Sequence, residues 1–149
     1  MKSFLITLWL SVAGMLLQGL AAEPTPAERK KFVETKAKAD QGNAPAQTYL
    51  GFMYESGSGV VKDEVEAVKW YRKAADQGYA LAQFNLGLMY ANGRGVPKDE
   101  AEAYKWWLLA GAQGHEDAKQ MISFIEGNIT PAQRTEGQRR AREWKPRKP

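Results

Sequence analysis

The sequence repeats itself every 36 residues, and this period constrains the fold more than any other feature. Gly42, Gly78 and Gly114 stand at that spacing, and each closes a similar tetrapeptide. When residues 43–78 are aligned with residues 79–114, 20 of the 36 pairs are identical. A period of this length is typical of a stacked array in which each unit buries its apolar face against its neighbours. The repeat therefore predicts a solenoid.

Each repeat reads as two helices joined by a short loop. In the first helix, Ala46, Leu50, Met53 and Tyr54 follow a helical stripe, with no alternation of the kind that strands show. Gly57 follows the stripe, and glycine at that position ends a helix because it adopts the left-handed conformation without steric cost.

The second helix opens on a capping box. Asp63 is the expected N-cap with Glu66 three residues later, and Asp99 and Glu102 repeat this pair. Acidic charge in the first helical turn complements the helix dipole, and the residues expected to supply it are Glu64, Glu66, Glu100 and Glu102.

Residues that recur at the repeat period are assigned to the core. Gly51 and Gly87 would let two helix backbones approach closely, with Trp70 or Trp106 wedged beside the contact. The predicted core positions are Leu50, Gly51, Tyr54, Trp70, Leu86, Gly87, Tyr90 and Trp106.

These motifs carry a resemblance to a known family. The repeats contain LGFMYESGSGV and LGLMYANGRGV, and they resemble Sel-one-like repeats, a branch of the tetratricopeptide-like helical arrays. A third, degraded copy begins at His115 and lacks the Gly-x-Gly-Val loop. The resemblance implies an all-α fold, a right-handed α-solenoid of stacked helix-turn-helix repeats with N- and C-terminal capping helices. It supplies no catalytic residue.

The resemblance also implies that the first helix of each pair lines a concave face that binds other macromolecules. Exposed aromatic and aliphatic side chains there would form a mixed apolar groove. The alternative is that several of them pack against the neighbouring repeat. The expected partner-binding residues are Thr48, Tyr49, Phe52, Glu55, Phe84, Asn85, Leu88, Asn92, Met121 and Phe124.

The N-terminus reads as a signal peptide over residues 1–22. Lys2 gives a charged start, residues 4–17 are apolar, and Ala21 or Ala22 offers a cleavage site. This pattern predicts a periplasmic or secreted protein, and an uncleaved N-terminal membrane anchor is the alternative.

Capping boxes flank the repeats as well. Thr25 and Thr130 each precede a proline and open a predicted helix. The predicted organisation is an N-terminal capping helix at 23–42, repeat 1 at 43–78, repeat 2 at 79–114, a degraded third repeat with the C-terminal cap at 115–145, and a flexible tail at 146–149.

The C-terminal segment is basic. Residues 131–149 contain seven Lys and Arg against two Glu, whereas residues 23–130 contain 13 basic and 15 acidic residues. We interpret the segment as a structural cap whose apolar residues, Trp144 among them, pack on Met121, Ile122 and Ile125. Weak contact with an anionic membrane surface is the alternative, and export argues against nucleic acid.

No catalytic, cofactor or metal site is predicted. Cysteine is absent, and His115 is the only histidine, at a position that reads as a helix cap. The Gly-x-Gly loops follow a helix rather than a strand, so they read as turns and not as phosphate-binding loops.

The sequence therefore favours a monomeric, non-enzymatic protein–protein interaction module in the bacterial envelope, acting as an adaptor, regulator or inhibitor. The alternative function is a hydrolase acting on cell-wall or β-lactam substrates.

Overall fold

The computed structural model describes residues 23–148, and the regular secondary structure of this part is entirely helical. It contains seven helices: α1 (Pro26–Asp40), α2 (Ala44–Ser56), α3 (Glu64–Asp76), α4 (Ala80–Asn92), α5 (Glu100–Ala112), α6 (Glu116–Glu126) and α7 (Pro131–Glu143). None of these seven is both long enough and apolar enough to span a bilayer. The all-α prediction is confirmed, and the predicted signal peptide lies outside the described residues.

Glycine and aspartate set the ends of the helices in both full repeats. α2 ends at Gly57 with a left-handed φ of 77°, and α4 ends in the same way at Gly93 with a φ of 63°. Asp63 and Asp99 then cap α3 and α5 by accepting a hydrogen bond from the backbone N–H three residues later, at 3.0 and 2.9 Å. The predicted helical hairpins are therefore present at residues 44–76 and 80–112.

The two helices of each hairpin approach closely at a glycine. A Cβ built on Gly51 would lie 2.7 Å from the Tyr71 ring, and one built on Gly87 would lie 2.6 Å from Cδ1 of Trp107. Trp70 and Trp106 had been expected beside these contacts, but the ring that lies against each glycine is a different one. The neighbouring aromatic residue covers the glycine, because Tyr71 and Trp107 face the first helix of their own repeat.

Trp70 and Trp106 are buried between repeats instead. Trp70 packs with Ala39 of α1 and Leu50 of α2. Trp106 of the second repeat joins a cluster formed mainly by α3 and α4, in which Leu86 is fully buried. The other predicted core positions are buried as well, except for the half-buried Tyr54 and Tyr90.

Buried glutamines also join consecutive repeats. Gln83 is fully buried, and its Nε2 donates to the Ala75 carbonyl oxygen at 3.2 Å. Its Oε1 accepts from Gln113 Nε2 at 2.8 Å. Gln47 and Gln77 form the same arrangement one repeat earlier, with distances of 3.1 Å to the Ala39 carbonyl and 2.7 Å between the two side chains. These bonds satisfy helix-end carbonyl groups that the stacking of repeats removes from water.

α1 packs on repeat 1 in the way that the second helix α3 packs on repeat 2. Thr25 and Glu28 form the predicted capping box at its start. Gly59 lies against the Glu28 carbonyl group, and Gly95 lies in the same way against that of Glu64 in the next unit. The Gly-x-Gly loop of each repeat therefore packs on the start of the preceding second helix, and glycine is required because a Cβ would clash with that backbone.

The C-terminal helix α7 packs against a different helix from the one that was predicted. α7 begins with the predicted capping box at Thr130, but it packs on α5 rather than on the apolar side of α6. A Cβ built on Gly137 would lie 2.8 Å from both the Ala101 carbonyl oxygen and the Tyr104 ring. The pairing with Met121, Ile122 and Ile125 is therefore wrong. Gly137 lets α7 approach the backbone of α5 directly, which the distribution of apolar residues did not reveal.

The residues after α7 continue back towards the first repeat. The Trp144 ring meets Trp106 edge to face, with 6.3 Å between ring centroids. The Arg147 N–H donates to the Asp76 carbonyl oxygen at 2.7 Å. Residues 146–149 were predicted to form a flexible tail, and those of them that the structure describes, 146–148, lie beside the end of α3. Arg140 pairs with acidic groups of α5, so part of the basic charge is neutralised internally.

Replacing Gly87 with alanine tests the close contact inside a repeat. We expect Gly87→Ala to lower the free energy of unfolding by about 1–3 kcal/mol, because the new methyl group overlaps the Trp107 ring. Thermal unfolding would show this as about 4–8 °C for each kcal/mol. Gly127→Ala is the control, because Gly127 has a helical φ of −78° and the atom nearest to a Cβ built there is 3.7 Å away. Equal melting temperatures for the two variants would contradict the assigned role of Gly87.

Candidate functional site

The first helices of the two full repeats carry almost no charge. α2 and α4 each contain 13 residues, and Glu55 is the only charged residue in either helix. The second helices, by contrast, are charged: α3 carries Glu, Lys, Arg and Asp, and α5 carries two Glu and one Lys. The face formed by α2 and α4 is therefore suited to uncharged partners.

A groove of about 430 Å³ lies between α2 and α4. The Tyr49 and Phe52 rings stack in it with 6.2 Å between centroids and 23° between planes. Lys31 of α1 places its Nζ 4.8 Å from the centroid of the Tyr49 ring. We call this the α2–α4 groove, and its lining residues are Pro45, Thr48, Tyr49, Phe52, Tyr79, Leu81 and Asn85.

The structure divides the residues predicted to face a partner into two groups. Phe52 is 50% exposed and Phe124 is 64% exposed, and Tyr49 is exposed as well. Phe84, Leu88 and Met121 are half-buried and pack on the cluster shared by repeats 2 and 3. The alternative stated for these three, that they pack against a neighbouring repeat, describes them better.

Thr48 does not have the exposure that was expected. It is 4% exposed, and its Oγ1 donates to the Ala44 carbonyl oxygen of its own helix at 2.9 Å. Asn92 also bonds to its own helix, through Nδ2 to the Leu88 carbonyl oxygen at 2.9 Å. Asn85 is half-buried and lines the α2–α4 groove.

Three groove residues were not predicted, namely Pro45, Tyr79 and Leu81. Leu81 lies one helical turn before Asn85, so it shares the face that the prediction identified further along α4. Helical spacing could have found it. Pro45 and Tyr79 lie at the starts of α2 and α4, where sequence position alone does not show the direction in which a side chain points.

Glu55 is part of an ionic network beside the close contact of repeat 1. Tyr71 Oη donates to Glu55 Oε2 at 2.6 Å, and Arg94 Nη1 donates to Glu55 Oε1 at 2.8 Å. Arg94 also reaches Glu64 Oε1 through Nε at 3.0 Å and Nη2 at 2.8 Å. Burial, then the bond to Glu55, raises the pKa of the Tyr71 phenol well above its usual value. Glu55 therefore has a structural role and does not project freely into the groove.

Arg94 links the loop of repeat 2 to both helices of repeat 1. Its hydrogen bond lowers the pKa of Glu64, and Lys62 lowers it further. The aligned position in repeat 1 is Ser58, which cannot form such pairs. The network is therefore specific to the junction between the two full repeats.

The sole histidine has a structural position. His115 Nδ1 accepts the Ala118 N–H at 3.3 Å, which confirms the predicted helix cap. Its ring stacks on Phe84 with 4.6 Å between centroids. Within residues 23–148 there is no group of three or more His, Cys, Asp or Glu residues that could hold a metal ion.

The acidic residues at the helix starts form ion pairs with neighbouring lysines. Lys69 pairs with Glu66 in α3, and Lys105 pairs with Glu102 in α5 at 2.7 Å. Glu66 therefore bonds to a lysine, and the reciprocal half of its predicted capping box is replaced by this pair. Such pairs hold the side chains on the surface of their own helix.

Comparison with known proteins agrees with this architecture. A family model described as the Sel1 repeat matches residues 44–79 and 80–115. No curated protein matches the chain.

Two solved structures have a similar fold. One is a protective antigen present in uropathogenic Escherichia coli strains and displaying an SLR fold, with 30% identity, a TM-score of 0.77, and 88% of this chain covered. The other is a Sel1 repeat protein from Oxalobacter formigenes, with 40% identity, a TM-score of 0.57, and 70% of this chain covered. The chain spans only 28% and 45% of the lengths of these two proteins.

Substituting Arg94 with serine, the residue at the aligned position of repeat 1, tests the network. We expect the pKa of Glu64 to rise towards 4.5, because the bond from Arg94 is the largest cause of its low value. Because the pKa of Glu64 is lower in the folded chain than in the unfolded chain, Glu64 stabilises the fold at pH values above its unfolded-state pKa. This stabilisation is lost as the pH falls through the folded-state pKa. Arg94→Ser should therefore make the free energy of unfolding less dependent on pH in this range.

NMR titration of the carboxyl groups measures the shift directly. Lys98→Ser is the control, because Lys98 pairs with Glu100 and not with Glu64. An unchanged Glu64 pKa in Arg94→Ser would show that Arg94 is not the group that controls it.

Proposed function

We propose that this chain, a Sel1 repeat protein with repeats at residues 44–79 and 80–115, binds a partner protein through the α2–α4 groove. Sel1 repeats are generally protein–protein interaction modules. The observation that carries the proposal is the combination of exposed aromatic and aliphatic side chains with a nearly uncharged pair of helices. In the same proposal, the chain acts on this partner as an adaptor, regulator or inhibitor.

The chemistry of the groove specifies the bound segment. Tyr49, Phe52 and Leu81 offer apolar contact area, and Asn85 offers one amide for hydrogen bonding. Burying a charged side chain against such a surface would cost free energy without a compensating pair. The expected ligand is therefore an uncharged apolar segment of a protein, bearing one or two bulky side chains.

Contacts within and between the repeats support the two helices that form the groove. Gly51 and Gly87 fix each first helix against its second helix, and Arg94 joins the two repeats. A preformed site loses less conformational entropy on binding than a flexible one. These contacts support a binding role for the exposed residues between α2 and α4.

Selection of peptides that bind the chain from a random display library tests the proposed groove. We expect the selected peptides to be rich in uncharged apolar residues. The variant Phe52→Ser with Leu81→Ser should bind them at least about tenfold more weakly, because both contact residues are lost. Fluorescence anisotropy measures the affinities.

Val33→Ser is the matched control for that experiment. Val33 is an exposed apolar residue of α1 that does not line the groove, so its substitution should leave binding unchanged. Equal binding by the groove variant, or selection of mainly charged peptides, would contradict the proposal.

We further propose that the protein acts in the bacterial envelope after cleavage near Ala21 or Ala22. The support is the charged start and apolar run of residues 1–22. Expression of the full chain in a Gram-negative host, followed by fractionation and mass spectrometry, should find a periplasmic product starting at residue 22 or 23. Lys2→Glu should slow export, and an intact N-terminus in the cytoplasmic fraction would reject this part of the proposal.

A further inference from the structure

The two full repeats differ in what covers their second helices. Ala101 of α5 is 5% exposed beneath α7, whereas the aligned Val65 of α3 is 52% exposed. The Lys105 side chain is 14% exposed, and that of the aligned Lys69 is 60% exposed. Among residues 23–148, no helix covers α3 in the way that α7 covers α5. We call this uncovered surface the α3 face, formed by Val61, Asp63, Val65, Glu66 and Lys69.

The contact between α7 and α5 shows what chemistry suits such a surface. Gly137 removes the side chain at the point where α7 meets the α5 backbone. Three residues later, Arg140 Nη1 donates to Asp99 Oδ2 and Glu102 Oε2, both at 2.9 Å. The docked helix therefore combines a small residue at the crossing with an arginine that joins two carboxylates.

The same two carboxylates are present on the α3 face. Asp63 and Glu66 align with Asp99 and Glu102, and Asp63 Oδ1 accepts the Glu66 N–H just as Asp99 Oδ1 accepts the Glu102 N–H. Glu66 Oε1 is bonded to Lys69, as Glu102 Oε1 is bonded to Lys105. Within residues 23–148, no side chain bonds to Asp63 Oδ2 or Glu66 Oε2, the counterparts of the oxygens that Arg140 joins.

The C-terminal end of α3 is more positively charged than that of α5, which disfavours binding of a second copy of α7 to the α3 face. Arg72 and Lys73, both exposed, stand where α5 has two leucines. Arg72 also donates to Tyr90 Oη, and Lys73 lines the same cavity as Arg147 and Lys148, so this end of α3 is already rich in positive charge. The last turn of α7 and the residues after it are basic, including Arg142 and Lys145. Bringing these like charges together is unfavourable, so a helix that fits the α3 face needs acidic residues after its arginine.

We propose that the α3 face is a second docking site, distinct from the α2–α4 groove, for a partner helix with a defined pattern. The helix carries glycine at the crossing, an arginine three residues later that joins Asp63 and Glu66, and acidic residues one to two turns further on that pair with Arg72 and Lys73. Val61 and Val65 supply the apolar contact.

A synthetic peptide with the sequence of residues 130–145, carrying Arg142→Glu and Lys145→Glu, is the probe. The chain's own α7 stays on α5, because an attached helix has a high effective concentration there. We expect the peptide to bind the full chain and to shift the NMR methyl signals of Val61 and Val65. The unmodified peptide should bind at least about tenfold more weakly, because its basic end meets Arg72 and Lys73.

Asp63→Asn with Glu66→Gln should weaken binding of the probe at least about tenfold, because the arginine loses both carboxylates while asparagine still caps the helix. Glu116→Gln with Asp117→Asn, which neutralises two exposed carboxylates at the start of α6, is the matched control and should bind like the unmodified protein. Val65→Arg, which leaves the cap intact, should also block binding.

Three results would overturn the proposal. The first is binding of the probe to the Asp63→Asn, Glu66→Gln variant as tightly as to the unmodified chain. The second is no binding of the probe to the full chain. The third is NMR shifts confined to α5, which would mean that the probe exchanges with α7. Sedimentation showing that the α3 face joins two copies of the chain, or NMR contacts from residues 1–22 onto Val65, would likewise assign the face to another occupant. The groove variant Phe52→Ser with Leu81→Ser should bind the probe normally, which separates this site from the proposed function.

Discussion

The contact between a glycine of the first helix and an aromatic ring of the second determines the geometry of each repeat. Tyr71 covers Gly51, and its hydroxyl group bonds to Glu55 of α2. Trp107 covers Gly87, and its Nε1–H donates to the Phe84 carbonyl oxygen of α4 at 3.2 Å. Because each ring combines an apolar face with a polar end, it fixes both the distance and the register of the first helix. The α2–α4 groove depends on these two helices being held in place.

Stacking of the repeats uses different groups. The tryptophan that precedes each of those aromatic residues is buried between units, and a buried glutamine bonds to the end of the preceding second helix. The glutamine position is occupied by Lys119 in the third repeat, and the Gly-x-Gly loop is lost there as well. Without these groups the third unit does not continue the pattern, and α7 closes the array by packing on α5 through Gly137 and Arg140.

Much of the fold could be predicted because its determinants recur. The helix ends at Gly57 and Gly93, the caps at Asp63 and Asp99, and the buried leucines follow from spacing and from local hydrogen bonding. The exposure of Tyr49 and Phe52 on α2 could be predicted for the same reason, whereas the burial of Thr48 and the ion pairs of Glu55 could not. Phe84 and Leu88 were harder to place, because the same helical spacing suits a groove residue and a residue that packs on the next repeat.

The sequence by itself determined the helices, their order and the 36-residue unit, since these depend on local conformation and on periodic burial. Only the tertiary structure decided which aromatic residue covers each glycine, where α7 docks, and which apolar residues stay exposed. These depend on contacts between residues far apart in the chain. The pairing of Arg140 with Asp99 spans 41 residues and that of Arg94 with Glu64 spans 30, and neither occurs at the repeat period. A non-recurring contact leaves no signal in the spacing of one sequence.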